Sequence, residues 1–179
     1  SVLEKMRLAN YDQIIILPLF PQYASASSGS AIEKAMQIIG KWWVIPEIKI
    51  INQFWDNEGY IDSIVERAKE FNLASFDHIL FSYHGLPERQ VDKVYEGKDL
   101  CGDQPCESEV NEKNKFCYKA TSFATTRLIA AKLGITESQY TVCFQSRLDK
   151  KWLTPFSDKV VEEWGKKGAK NLLVFSPAF

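Results

Sequence analysis

The sequence predicts an α/β protein, a doubly wound parallel sheet flanked by helices in three layers. Two observations carry this expectation. Short runs of β-formers alternate with amphipathic stretches of helical period, the pattern of parallel strands joined by crossover helices. Each of several strand-like runs also ends in a polar segment, as expected where an open α/β sheet presents its C-terminal edge to a ligand. With 179 residues, 45% of them hydrophobic and 13% aromatic, the chain is long enough for one ordinary core and short for two. The expectation is therefore a single domain over residues 1–179, interrupted by a polar insertion at 88–114.

Charge and apolar patterning exclude several classes. The 22 basic side chains balance 23 acidic ones, for a net charge of -1, which leaves no basic footprint for nucleic acid. The aliphatic run Ile14 to Phe20 is far too short to span a bilayer. No transmembrane segment is expected and the chain reads as cytoplasmic, with peripheral membrane contact left open. It starts at Ser1 without an initiator Met and stops at Phe179 directly after a strand-like run, which suggests a piece of a longer protein.

In chain order, Gln13 to Leu19 is the first strand, closed by Pro18 and Pro21. The following loop, Tyr23 to Ser30, is rich in hydroxyls, and Ser30 with Glu33 spells a capping box for a helix placing Ile32, Ala35, Met36, Ile39 and Trp43 on one face. Those serines read either as turn and cap chemistry or as ligand contacts at a helix start. Pro46 precedes a second strand, Ile48 to Phe54, and Phe54-Trp55 is core or ligand wall. Tyr60, Ile61, Ile64, Val65, Ala68 and Phe71 then give helical spacing.

The third strand, from His78 to Tyr83, halts at His84-Gly85-Leu86-Pro87. Pro87 forbids continuation of the ladder, so the imidazole of His84 is expected at the ligand edge. It reads either as the catalytic group or as a loop histidine satisfied by a hydrogen bond. His78, at the opposite end, is given no catalytic role.

Residues 88–114 lack any sustained apolar period and contain Gly97, Gly102 and Pro105. Loops of this length inside a domain usually serve a function. Three of the four cysteines, Cys101, Cys106 and Cys117, crowd into or beside this segment, compatible with metal or redox chemistry. A helix resumes at Phe116 with Cys117, Ala120, Thr121, Ala124, Leu128 and Ala131 along one side and stops at Gly134. Tyr140 to Phe144 is the fourth strand, with Gln145-Ser146-Arg147 at its polar edge. Trp152 to Pro155 opens a helix carrying Val160, Val161 and Trp164 inward, and Asn171 to Phe175 is the last strand. Neither a G-x-G-x-x-G nor a Walker A pattern occurs, so dinucleotides and nucleoside triphosphates are not favoured.

Four separated blocks in this order resemble the ferrochelatase family. Leu17 to Ser25 resembles its P-x-Y-P-Q-Y-S loop and Ile79 to Pro87 its S-x-H-G-L-P strand end. Cys143 to Leu148 with Trp152 to Pro155 is similar to F-Q-S-[RK]-x-G followed by W-L-x-P, and Val174 to Phe179 resembles the block leading to an acidic active-site segment.

The resemblance implies a chelatase-like, Rossmann-like domain of an enzyme, a lyase, that inserts ferrous iron into protoporphyrin IX in haem biosynthesis. It makes His84 the active-site histidine, as metal ligand or proton acceptor. Tyr23, Ser25, Gln145, Ser146, Arg147 and Trp152 become porphyrin contacts, Arg147 pairing either with a propionate or with a neighbouring carboxylate. Some members carry a [2Fe-2S] cluster, for which Cys101, Cys106 and Cys117 supply three thiols, with Ser122 where a fourth would be sought.

Departures accompany the matches. Asp149 stands where the family usually has Gly, and Ala24 is a milder change. The family's acidic partner and its first half-domain would lie outside residues 1–179, so this piece alone is expected to be inactive. The rival readings are a cobalt chelatase and a Rossmann-like module holding a metal or iron-sulfur centre without catalysis.

Overall fold

The computed structural model of the protein describes residues 2–95 and 100–178. Ser1, Gly97 of the expected insertion and the closing Phe179 lie outside the described residues. The α/β class with parallel strands is the observed one, and the strands fall into two sheets. The chain clusters as two compact units, Ser1–Phe54 and Trp55–Phe179.

In the first unit, β1 (Gln13–Ile16) pairs in parallel with β2 (Glu47–Ile50), Ile14 opposite Ile48. Its small core is Ile14, Ile39 and Trp42, with Leu3, Met6, Ile16 and Ile48 packed against it. Leu3 and Met6 come from α1 (Val2–Ala9), a helix the sequence reading did not assign because none of its residues is fully buried.

The capping box expected at Ser30 does not form. A π-helical turn over Ser25–Gly29 runs directly into α2 (Ser30–Ile39). The Ser30 hydroxyl donates backwards to the carbonyls of Ala26 and Ser27, so Ser30 continues a helix already begun. The helix stops at Gly40, and the period that placed Trp43 inward does not survive the break. Trp42 is buried instead, while Trp43 is fully exposed.

The second unit is organised around β3 (His78–His84), whose first six residues are all buried. It pairs in parallel with β4 (Tyr140–Gln145) on one side and β5 (Leu172–Phe175) on the other. Adjacent residues of a strand face opposite sides of the sheet, and here both sides are occupied. Tyr83 bonds Thr126 of α5 (Tyr118–Leu133) at 2.8 Å. Ser82 bonds Ser157, the first residue of α6 (Ser157–Lys166), at 2.9 Å. Leu80 packs with Cys143 and Val160 on the α6 side, and α3 (Glu58–Ala68) packs against α5. The result is three layers, helix pair, sheet and helix.

Burying Ile79, Leu80 and Phe81, each 3% exposed or less, supplies about 1.5–3 kcal/mol apiece. A neutral hydrogen bond nets only about 1 kcal/mol. Apolar burial therefore drives the layering, and the hydroxyl pairs fix which residue faces which helix.

The α5 face is the expected one only in its first half: Cys117, Ala120, Thr121 and Ala124 are buried, but Leu128 and Ala131 are exposed, while Ser122, Thr125 and Thr126 are buried as well. The cause is self-satisfaction: Thr121 donates to the carbonyl of Cys117 and Ser122 to that of Tyr118, so these small hydroxyls enter the core at little polar cost. Gly134 ends the helix at φ 68°, the left-handed position expected of it. On α6, Val160 is buried but Val161 is exposed, because the apolar stripe is narrower than its sequence suggested.

Candidate functional site

The site grows out of the paired C-terminal ends of β3 and β4. His84 lies in register with Gln145, and the pairing continues past the strands: Gly85 N–H donates to the Gln145 carbonyl at 2.7 Å. The chain then turns antiparallel, with Pro87 bridged to Trp152 and Leu153 N–H donating to the Leu86 carbonyl at 2.9 Å. Gly85 is required by proximity. A Cβ there would stand 2.7 Å from the Gln145 carbonyl oxygen and 3.2 Å from Trp152 Cε3, so only a residue without a side chain lets the two segments approach.

His84 is half-buried, and its Nδ1 lies 2.7 Å from the Gly85 carbonyl oxygen. A carbonyl can only accept, so Nδ1 carries a proton, and in the neutral ring the lone pair that can serve as base or metal ligand is then on Nε2. The Trp152 ring, mostly buried, lies 6.5 Å from the imidazole centroid at a 50° tilt. Tyr118, at the start of α5, donates its hydroxyl to the His84 carbonyl at 2.9 Å and so tethers the end of β3 to the helix. Sequence reading missed Tyr118; its place directly after Cys117, at a helix start, was the available signal.

Gln145 is half-buried and Ser146 exposed. Ser146 adopts φ 65°, a left-handed conformation that costs a non-glycine residue roughly 1–2 kcal/mol, and such strain gathers at functional turns. Arg147 forms a two-pronged ion pair with Asp158, at 2.5 and 2.8 Å, and its guanidinium lies 4.1 Å from the Phe156 ring centroid. That pair holds the Asp158 carboxyl below its usual range. A propionate would compete with Asp158 for the same fork. In the first unit, Tyr23 is half-buried, with its hydroxyl against Gly29, and Ser25 is exposed. His78, given no catalytic role, is buried: its Nε2 lies 2.8 Å from the Thr141 hydroxyl and its ring stacks on Trp164 at 3.8 Å.

The cysteines converge. Cys101, Cys106 and Cys117 are all buried, with Sγ separations of 3.7 Å (101–106), 3.5 Å (101–117) and 3.7 Å (106–117). Sequence reading missed the residues around them. Tyr95 lies with its hydroxyl 3.0 Å from Cys106 Sγ, Asn114 points its amide at the same sulfur from 3.9 Å, and Asp92 accepts the Cys101 N–H at 2.9 Å. Hydrogen bonding with Cys101, then with Cys117, draws the Cys106 thiol down to about 3, and the same bond pushes Cys101 up. The described part of the insertion carries three short helices, α4 (Glu88–Val91), Asp92–Val94 and Cys101–Asp103, and its contacts gather at sulfur. Ser122 turns its hydroxyl to the Tyr118 carbonyl.

A [2Fe-2S] cluster does not fit this donor set. Such a cluster takes four ligands, two on each iron, so no three of them share one metal. Here three thiols share a single triangle, and among the described residues no further His, Cys, Asp or Glu joins the group. Cys143, by contrast, is a buried strand residue whose sulfur accepts from Ser157.

Two concavities flank these groups. A cleft of about 690 Å³ includes Lys119, Phe123, Arg127 and Tyr140 in its wall, and a smaller one of about 200 Å³ is lined by Glu88, Asp92, Cys101 and Asp103 among others. No helix among the described residues is long and apolar enough to cross a membrane.

Comparison with known proteins agrees with the resemblance of the sequence blocks. The ferrochelatase family model matches residues 1–179. A ferrochelatase of Legionella pneumophila (strain Corby) is 42% identical over 173 residues, covering 96% of this chain and 51% of the relative. One of Coxiella burnetii (strain Dugway 5J108-111) is 41% identical over 182 residues, covering 100% of this chain and 50% of the relative. The chain spans about half the length of the curated relatives it matches. With its whole length under the family model and relatives 41% and 42% identical across it, this chain belongs to the ferrochelatase family.

Proposed function

We propose that this chain contributes the histidine-bearing α/β region of a ferrochelatase, a lyase-class enzyme that places ferrous iron, a substrate here, into protoporphyrin IX during haem biosynthesis. The observation that carries the reading is the Nδ1 contact of His84 with the Gly85 carbonyl. In the reaction a porphyrin loses two pyrrole N–H protons as Fe²⁺ forms four bonds to nitrogen, so two protons must leave per metal inserted. An imidazole whose Nδ1–H is already committed offers Nε2 to accept one of them and then release it to water. We assign His84 this proton-accepting role. A metal-ligand role would use the same lone pair.

Around His84, Gln145 and Ser146 present polar groups, and Trp152 offers a ring suited to a porphyrin face. Arg147 is a propionate contact only if Asp158 yields its fork. For Tyr23 and Ser25, porphyrin contact rests on the resemblance of their loop. A cytoplasmic setting belongs to the same proposal, supported by the four free thiols, which a reducing compartment preserves.

The test is His84→Ala in the full-length protein, assayed by fluorescence loss as metal enters protoporphyrin IX. Insertion is expected to fall by about 10²-fold or more, the usual contribution of a general base, with the circular dichroism spectrum unchanged. Turnover close to wild type would overturn the assignment.

A further inference from the structure

We propose that Cys101, Cys106 and Cys117 form a mononuclear thiolate site for a soft divalent ion such as zinc, distinct from the substrate iron and from an iron-sulfur cluster. The triangle has the right size. Zinc binds thiolate at about 2.3 Å, which puts two sulfurs of one tetrahedron about 3.8 Å apart, and the three separations here are 3.5, 3.7 and 3.7 Å. Three vertices of a single coordination tetrahedron are therefore in place, with the fourth left to a ligand from outside the triad.

The surroundings are those of a thiolate site. Metal-bound sulfur is tuned by hydrogen-bond donors around it, and Cys106 has two, the Tyr95 hydroxyl and the Asn114 amide. Asn114 is itself locked: its Nδ2 donates to the Glu109 carbonyl at 3.0 Å and its Oδ1 accepts from Asn111 N–H at 2.6 Å. A fully buried asparagine aimed at sulfur by two further contacts is a costly device for packing alone. There is also a route in. The 200 Å³ cleft lined by Cys101 carries three carboxylates, Glu88, Asp92 and Asp103, against one cation, Lys119, which itself pairs with Glu107, a balance that would attract a cation.

The site would act as a staple. The described residues of 88–114 bring few buried apolar side chains of their own, and a segment with so little core needs a metal or a disulfide to hold one structure. Cys117 is also the residue that caps α5, next to Tyr118, whose hydroxyl holds the His84 carbonyl. Binding releases the thiol protons still present and involves no change of oxidation state.

The experiment is metal analysis of the full-length protein with zinc, and separately cobalt, supplied during expression. One zinc per chain is expected, together with the intense visible bands of tetrahedral cobalt thiolate, and three cysteines should resist alkylation until a chelator strips the metal. Cys106→Ser should lose the ion. Because loss of a ligand can itself impair folding, Tyr95→Phe is tested beside it and should retain one ion per chain with a shifted cobalt spectrum. Two irons with two acid-labile sulfides per chain would overturn the proposal, as would a disulfide within the triad or thiols that alkylate freely with no metal bound. None of these readouts depends on porphyrin turnover, so this proposal and the chelatase reading fail separately.

Discussion

The end of β3 and the cysteine segment fix their functional groups by opposite means. His84 is placed by a ladder: six buried residues precede it, β4 pairs with it while β5 flanks the start of the strand, and the backbone of Gly85 presses against Gln145. The cysteines are placed by polar and sulfur contacts among short turns, with Val91 and Tyr95 as the buried apolar neighbours from the same stretch. The first arrangement stands on apolar burial that needs no ligand. The second gathers groups that repel or oxidise one another unless something binds them. Position by burial suits a group that must keep still through many turnovers, and position by ligation suits a segment whose order can be conditional.

Breaking the ladder is expected to have the largest effect on stability. Gly85→Ala forces a Cβ against a carbonyl oxygen at 2.7 Å, and overpacking of this kind typically costs about 1–3 kcal/mol. Urea denaturation should show that loss, with turnover reduced as well; an unchanged midpoint would mean that the two segments separate easily. Tyr118→Phe cuts the one described hydroxyl link between the two regions and should cost about 1 kcal/mol. Its sharper readout is the metal: a lower rate of insertion with thiol protection intact would place the tether on the His84 side.

The smallest expected effect lies at the other end of β3. Burial lowers the pKa of His78, so the unfolded chain takes up its proton first, near the ordinary value of about 6.5. Between that pH and the lower folded value the unfolded state binds more protons, and stability falls as pH falls. His78→Gln should flatten this slope just below pH ~6.5, where unperturbed carboxylates remain ionised. An unaltered slope would assign the dependence to another group.

Much of the ladder was legible in the sequence, because Ile79-Leu80-Phe81 and Tyr140 to Phe144 are β-former runs that lie within β3 and β4. The polar endings at His84 and at Gln145 to Arg147 were legible for the same reason. Illegible were features set by tertiary contacts. Trp42 replaces Trp43 because α2 stops at Gly40, and Ser30 loses its capping role because a π turn precedes it. The α5 face hid its burial in threonines, which carry no apolar signal. Composition announced that the cysteines crowd together, but spacings of five and eleven residues through turns have no period from which a triangle, or its Tyr95 and Asn114 neighbours, can be read.

The hydroxyls of Ser82 and Tyr83 give β3 a form of proofreading. A strand shifted by one residue presents each side chain to the wrong layer; the phenol would then meet α6, the small hydroxyl would meet α5, and His84 would emerge on the opposite face. Such a mistake leaves two buried polar groups without partners, at about 1–3 kcal/mol each. An apolar strand alone would tolerate the shift far better, since leucine and phenylalanine bury nearly as well on either side. The parity of two neighbouring hydroxyls therefore disfavours wrongly threaded arrangements of the sheet, and so selects the side on which the imidazole appears.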